Sequence, residues 1–194
     1  LSRAKKTTSE ALRIDNPIKT TQPRRRDSLT SEDWLNIRQA TQRDPEAIWE
    51  IIGPVIRAGE TYALPTDMTK SEAIRYWTGP DRDAFVAEDN GSLVGTYYLR
   101  ANQLGGGSHV ANCGYMTRAE ARGKGAARAM CAHSLEEARR RGFRAMQFNF
   151  VVSTNSRAII LWRGMGFEEV GRLPDAFQRP SGEYADALVM FLKL

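Results

Sequence analysis

At 194 residues, 41% apolar and 26% charged, the chain has room for one well-buried α/β domain with an appendage, and its composition is that of a globular protein. No apolar run approaches the ~20 residues that span a bilayer, and the polar, basic first residues do not read as a signal peptide, so a cytoplasmic protein without membrane contact is expected. The net charge of +5 is confined to residues 1–27, which carry eight Lys and Arg against three Asp and Glu, so residues 28–194 balance and offer no basic stripe for nucleic acid. The opening residue, Leu1, leaves the natural start expected upstream.

In chain order, residues 1–31 are basic, rich in Ser, Thr and Pro and poor in apolar side chains, and read as a flexible arm. The domain is expected over 32–194. Trp34 to Ala40 alternates as a short strand. Asp44-Pro45-Glu46 opens a helix with Asp44 as cap and Pro45 at its first position; Ile48, Ile51, Ile52, Val55 and Ile56 form its apolar face and Gly59 ends it. A loop through Glu60 and Tyr62 leads to a second helix from about Thr69 to Trp77. Residues 83–88 and 93–100 make a hairpin around Asn90-Gly91. His109 to Thr117 is a strand, Gly123 to Arg141 a long helix, and Ala145 to Val152 another strand. Thr154 or Asn155 caps a helix that Gly166 terminates. Phe167 to Leu173 and Tyr184 to Leu192 complete the set. Cys113, Cys131, His109 and His133 lack metal-ligand or disulfide-framework spacing, so no metal is expected.

The stretch Ala121-Arg122-Gly123-Lys124-Gly125-Ala126-Ala127 carries the chemistry. A strand, a Gly-containing turn and a helix start leave backbone N–H groups unpaired, and these with the helix dipole favour an anion. Arg122 and Lys124 add positive charge. Gly125 is followed by alanines, which excludes a Walker A loop, and Arg128 stands where a dinucleotide fingerprint needs its third glycine. Taken alone, the segment would equally suit a basic surface turn.

Arg122, Gly125 and Ala127 fit [QR]-x-x-G-x-[GA]. Downstream, Asn155-Ser156-Arg157-Ala158 runs into Leu161-Trp162 and Gly166-Phe167, close to N-x-x-A-x-x-L-Y-x-x-x-G-F. The pair resembles the two signatures of the GNAT superfamily of acyl-CoA-dependent N-acetyltransferases, a resemblance that covers roughly residues 33–194. It implies an α+β fold: a mixed, mostly antiparallel sheet of about seven strands, splayed parallel strands 4 and 5, and helices on both faces. It also implies acetyl-CoA as cosubstrate. Arg122, Gly123, Lys124, Gly125, Ala126 and Ala127 would hold its pyrophosphate, Met116 and Thr117 its pantetheine, and Asn155 and Trp162 would complete the cofactor contacts. Backbone N–H groups of Tyr115 to Thr117 would face the developing oxyanion.

Trp162 departs from the superfamily pattern, in which a tyrosine protonates the leaving thiolate. An indole N–H donates a hydrogen bond but is no general acid, which leaves Tyr115 and Tyr184 as candidate phenols. Asn112 and Asn149 interrupt apolar strands, where asparagine is a poor fit. With Asn155 and Trp162 they resemble the proline-analogue type that acetylates azetidine-2-carboxylate. On that resemblance, Asn112 and Asn149 grip a small amino acid, and Asn155 positions coenzyme A or the reacting groups. Each asparagine would equally suit a satisfied structural role. Glu60, Tyr62 and Asp186 are candidates for the amine pocket, with solvated surface the alternative. The expected activity is transfer of acetyl to a small amine. A peptide or protein acceptor, or coenzyme A binding without turnover, are the rival readings, and a homodimer is left open.

Overall fold

In the computed structural model, residues 35–194 are described; the basic arm expected over 1–31 lies outside them. The elements are β1 (Asn36–Gln39), α1 (Pro45–Ala58), α2 (Lys70–Trp77), β2 (Asp83–Asp89), β3 (Ser92–Ala101), β4 (Val110–Thr117), α3 (Ala126–Arg140), β5 (Ala145–Val152), α4 (Ser156–Gly164), β6 (Glu168–Gln178) and β7 (Tyr184–Lys193), in the expected order. The sheet runs β1-β2-β3-β4-β5-β7-β6. Among the described residues only β4 and β5 pair in parallel; every other pairing is antiparallel.

Period-two alternation divides the core. Phe85, Tyr97, Leu99, Cys113, Met146 and Phe148 pack beneath α3 and α4. Ala84, Val86, Tyr98 and Met116 face the opposite way, onto Ile48, Ile51 and Ile52 of α1 and Trp77 of α2. Burying both sides makes these strands read as nearly continuous apolar runs. Trp77 Nε1 donates to Thr96 Oγ1 at 2.9 Å, and Thr96 donates on to the Phe85 carbonyl, so the polar atoms of this wall are satisfied. Among the described residues no helix is long and apolar enough to cross a membrane.

Three expectations are corrected by the local geometry. Asp44 stands at the start of α1, but its carboxylate caps nothing. It accepts instead from Arg38 Nη1 and Nη2 (2.9 and 2.8 Å) and from Thr41 N and Oγ1 (2.6 and 2.8 Å), tying β1 to the helix it precedes. The long helix begins at Ala126 rather than Gly123, because Gly123 and Gly125 take φ of 77° and 91°, outside helical space. β6 continues past Pro174 to Gln178. Its irregularity between Leu173 and Phe177 absorbs the proline, which an edge strand tolerates.

Candidate active site

β4 and β5 pair only at Val110 with Ala145 and Ala111 with Met146, then separate. One residue further, the Asn112 side chain replaces the missing ladder, its Nδ2 donating to the Gln147 carbonyl at 2.9 Å. The register of β4 on β3 decides which backbone groups face the gap. Asn102 N donates to Val110 O and Arg118 N to Val94 O. In an antiparallel pair these bonds fall on alternate residues, so Asn112, Gly114 and Met116 direct their backbone polar groups to β3. Cys113, Tyr115 and Thr117 direct theirs into the gap. Met116 therefore cannot offer its amide or carbonyl to a ligand between the strands, a correction to its expected role. Met116 is nevertheless among the residues that line the cleft.

A cleft of about 730 Å³ occupies this separation. Met116, Thr117, Arg122, Ala127, Asn155 and Trp162 line it, as do Asn112, Tyr115, Asn149, Glu60 and Tyr62. Gly123, Lys124, Gly125 and Ala126 occupy the turn between Arg122 and Ala127 without lining the wall. In that turn Arg122 N donates to Ala119 O and Lys124 N to Ala121 O, so both residues reach a ligand through side chains only. The N–H groups of Gly123, Gly125, Ala126, Ala127 and Arg128 have no backbone acceptor among the described residues. They stand at the start of a helix 15 residues long, whose first residue follows an N-cap glycine without a side-chain cap. Free amides, a positive helix end and Arg122 together fit a pyrophosphate.

The expected phenols are placed elsewhere. Tyr115 contacts Ser134 Oγ (2.6 Å) and Met146 Sδ (3.7 Å) through its hydroxyl, neither of which lines the cleft. Tyr184 is 62% exposed and borders a separate open depression with Thr154, Asp175, Arg179 and Glu183. Tyr62 does reach the gap, donating to the Tyr115 carbonyl at 2.9 Å. Desolvation raises the Tyr62 and Tyr115 phenols well above the ordinary tyrosine value, so both stay neutral. Trp162 packs against Tyr115 and Phe148, with ring centroids 5.1 and 5.0 Å apart. Its indole N–H has no protein acceptor among the described residues.

Asn155 Oδ1 accepts from Ala158 N at 3.3 Å and so caps α4. Asn149 Nδ2 donates to Asn102 Oδ1 (2.6 Å) while its Oδ1 accepts from Gln147 Nε2 (2.8 Å). Glu60 accepts from Arg179 Nε and Nη2 at 3.3 and 3.2 Å. Asp186 is bound by Arg172 and by Asp175 N and does not line the cleft. Both cysteines are buried thiols, and burial pushes Cys131 up to about 12. Among the described residues no cluster of His, Cys, Asp or Glu could hold a metal.

The splayed parallel pair, the anion turn and the capped α4 correspond to a known family, whose description, acetyltransferase (GNAT) family, matches residues 34–167. The chain belongs to that family. It is 31% identical over 151 residues to N-acetyltransferase aca1 of Schizosaccharomyces pombe, covering 69% of this chain and 72% of that one. The structure of a GCN5-related N-acetyltransferase from Kribbella flavida superposes with TM-score 0.79 at 38% identity, covering 84% of this chain and 99% of the other. The ribosomal-protein-alanine N-acetyltransferase of Brucella melitensis superposes with TM-score 0.74 at 26% identity over 82% and 99%. The protein is thus an acetyl-CoA-dependent N-acetyltransferase with the GNAT fold, and membership extends to the mixed seven-stranded sheet the sequence led us to expect.

Several residues of this GNAT cleft escape a linear reading. Tyr76, Tyr98 and Arg100 line its α1/α2 side. Asn102 and Gln147, which hold Asn149, are visible only through cross-strand geometry. Arg100 had a signal: it follows Tyr97-Tyr98-Leu99 in a buried strand, an unusual place for a guanidinium.

Proposed function

We propose that the acceptor is the amine of a small molecule, an amino acid or a close analogue such as a proline-like secondary amine. The observation that carries this is the Glu60–Arg179 ion pair. It joins the loop after α1 to the end of β6, and Glu60 itself lines the cleft. An acceptor site strapped in this way suits a small molecule better than an extended chain.

Acetyl-CoA supplies an activated acyl carbon. On the protein side, the free amides from Gly123 to Arg128, with Arg122, anchor the pyrophosphate. The gap-facing backbone groups of Cys113, Tyr115 and Thr117 orient the arm and offer N–H donors to negative charge growing on the acyl oxygen. The amine bonds to the acyl carbon, the carbon–sulfur bond breaks, and the nitrogen gives up one proton as the sulfur gains one. Trp162 contributes a hydrogen bond to the sulfur. It gives no proton, so that proton travels through solvent. Asn155 caps the start of α4, the helix that carries Trp162, and so would set where the indole meets the sulfur.

The test is release of free thiol from acetyl-CoA by the full chain with a panel of amino acids and polyamines. Turnover with small amines and none with peptides is expected. Acetylation of peptide N-termini alone would favour the second reading. That reading has one observation of its own: the open depression around Asp175 and Tyr184, beside the strap, could take a chain.

A further inference from the structure

We propose that Arg100 is the anchor for a carboxylate on the acceptor, making this enzyme selective for amines that carry an acid group. The inference rests on the small-acceptor reading above and adds a residue and a chemical class to it.

Four charged residues line the cleft: Glu60, Arg100, Arg122 and Arg157. Arg122 lies in the turn before α3 and Arg157 in the first turn of α4, the side where the pyrophosphate turn lies. Arg100 is on the other side. It sits opposite Asn112 in the β3–β4 register, with Tyr98 opposite Gly114, and Tyr98 packs toward α1 and α2. Arg100 therefore belongs to the acceptor wall. Glu60, the single carboxylate of that lining, is already bound by Arg179.

The charge behind this wall is unbalanced. Among the described residues Asp81 is the only acid contacting Arg100, through Nη1 at 3.0 Å. The same carboxylate takes two bonds of 2.9 Å from Arg82, whose guanidinium lies over the Tyr76 and Tyr98 rings at 4.7 and 4.9 Å. Two guanidiniums thus share one carboxylate. Each keeps a buried nitrogen without a partner among the described residues, Arg82 Nη1 and Arg100 Nε. Arg100 Nη2 has no protein acceptor among the described residues either. One uncompensated positive charge beside a cavity favours an anion, and a planar guanidinium suits a carboxylate.

The neighbouring amides are less free. Asn112 spends an N–H on Gln147, and Asn149 has both polar atoms engaged by Asn102 and Gln147. Arg100 is therefore the cationic donor of this wall, with the asparagines bracing the strands around it.

The probes are L-alanine and L-proline against their primary amides, with the full chain. Thiol release gives KM and kcat, and calorimetric titration into the coenzyme A-saturated protein gives affinity where turnover is slow. The acids are expected to bind or react at least tenfold better than the amides. Arg100→Gln should raise KM for the acids roughly 30-fold or more, leaving the amides and the KM of acetyl-CoA nearly unchanged. Arg100→Lys should recover part of the loss, and unchanged acetyl-CoA binding by both variants would verify the fold. Equal behaviour of acids and amides, or a matched loss for both in Arg100→Gln, would overturn the proposal. So would failure of all four probes to bind while other amines are acetylated, which leaves the small-acceptor reading standing. Acetylation of peptides alone would remove that reading first.

Discussion

Asn112 Nδ2 bonds the Gln147 carbonyl one residue beyond the last backbone pair of β4 and β5, so a side chain sets where the two strands part. The carbonyl would otherwise be an unpaired acceptor at the root of the cleft. Asn112 is only 6% exposed, which makes it a brace as well as a wall. Asn112→Ala is expected to lower the melting temperature by a few degrees and kcat/KM by roughly tenfold or more. Thermal melts and steady-state kinetics check this; unaltered kinetics would remove the brace from the mechanism.

Trp162 should act through its N–H and its packing, without titrating. Trp162→Phe keeps most of the packing against Phe148 and Tyr115 and loses the donor; a roughly tenfold fall in kcat is expected. In Trp162→Tyr the new phenol can give up a proton, so kcat should acquire a decline as pH rises through that group's pKa. The wild type should lack that decline. A kcat–pH profile with the same alkaline limb in both proteins would exclude it.

Gly125 holds φ at 91° and leads directly into α3. A β-carbon there is strained by about 1–2 kcal/mol and tilts the amides that follow. Gly125→Ala should raise the KM for acetyl-CoA by about tenfold or more and leave the acceptor KM near its wild-type value. Two-substrate kinetics separates the effects.

Asp44 stabilises the β1–α1 junction through an ion pair that is buried on its side, with 7% side-chain exposure. The hydrogen bond from Arg38 leads in holding its carboxyl well below the usual range, with Thr41 adding to it. A depressed folded pKa means the stabilisation is present at neutral pH and fades as pH falls below the unfolded value of about 4. Asp44→Asn should cost about 2–3 kcal/mol at pH 7, with the gap to wild type narrowing in acid. Urea unfolding at pH 7 and pH 3 measures both ends.

Local signals located the Asn90-Gly91 hairpin, whose two residues both take positive φ (48° and 81°), and they ordered every described element. They did not locate the end of β6, because Pro174 reads as a stop until an edge position makes it harmless. The cap expected of Asp44 failed for a different reason. A carboxylate three residues from Thr41 and six from Arg38 had a stronger use than the helix start, and only folding brings the guanidinium to it.

The sequence by itself determined the turn and the capped helix that we propose for the cofactor. Arg122 to Ala127 and Asn155 to Phe167 are contiguous, and a phosphate is bound by backbone amides whose direction follows from local turns. The wall we propose for the acceptor was decided by tertiary structure. Whether a β4 residue turns its backbone to β3 or to the gap depends on register across strands. The freedom of Arg100 depends on Asp81 also serving Arg82. The placing of the Tyr115 hydroxyl on Ser134 depends on α3 packing beneath the sheet. The Arg100–Asp81 and Tyr115–Ser134 bonds each join residues 19 positions apart, the register joins strands brought together by the fold, and no local pattern encodes either.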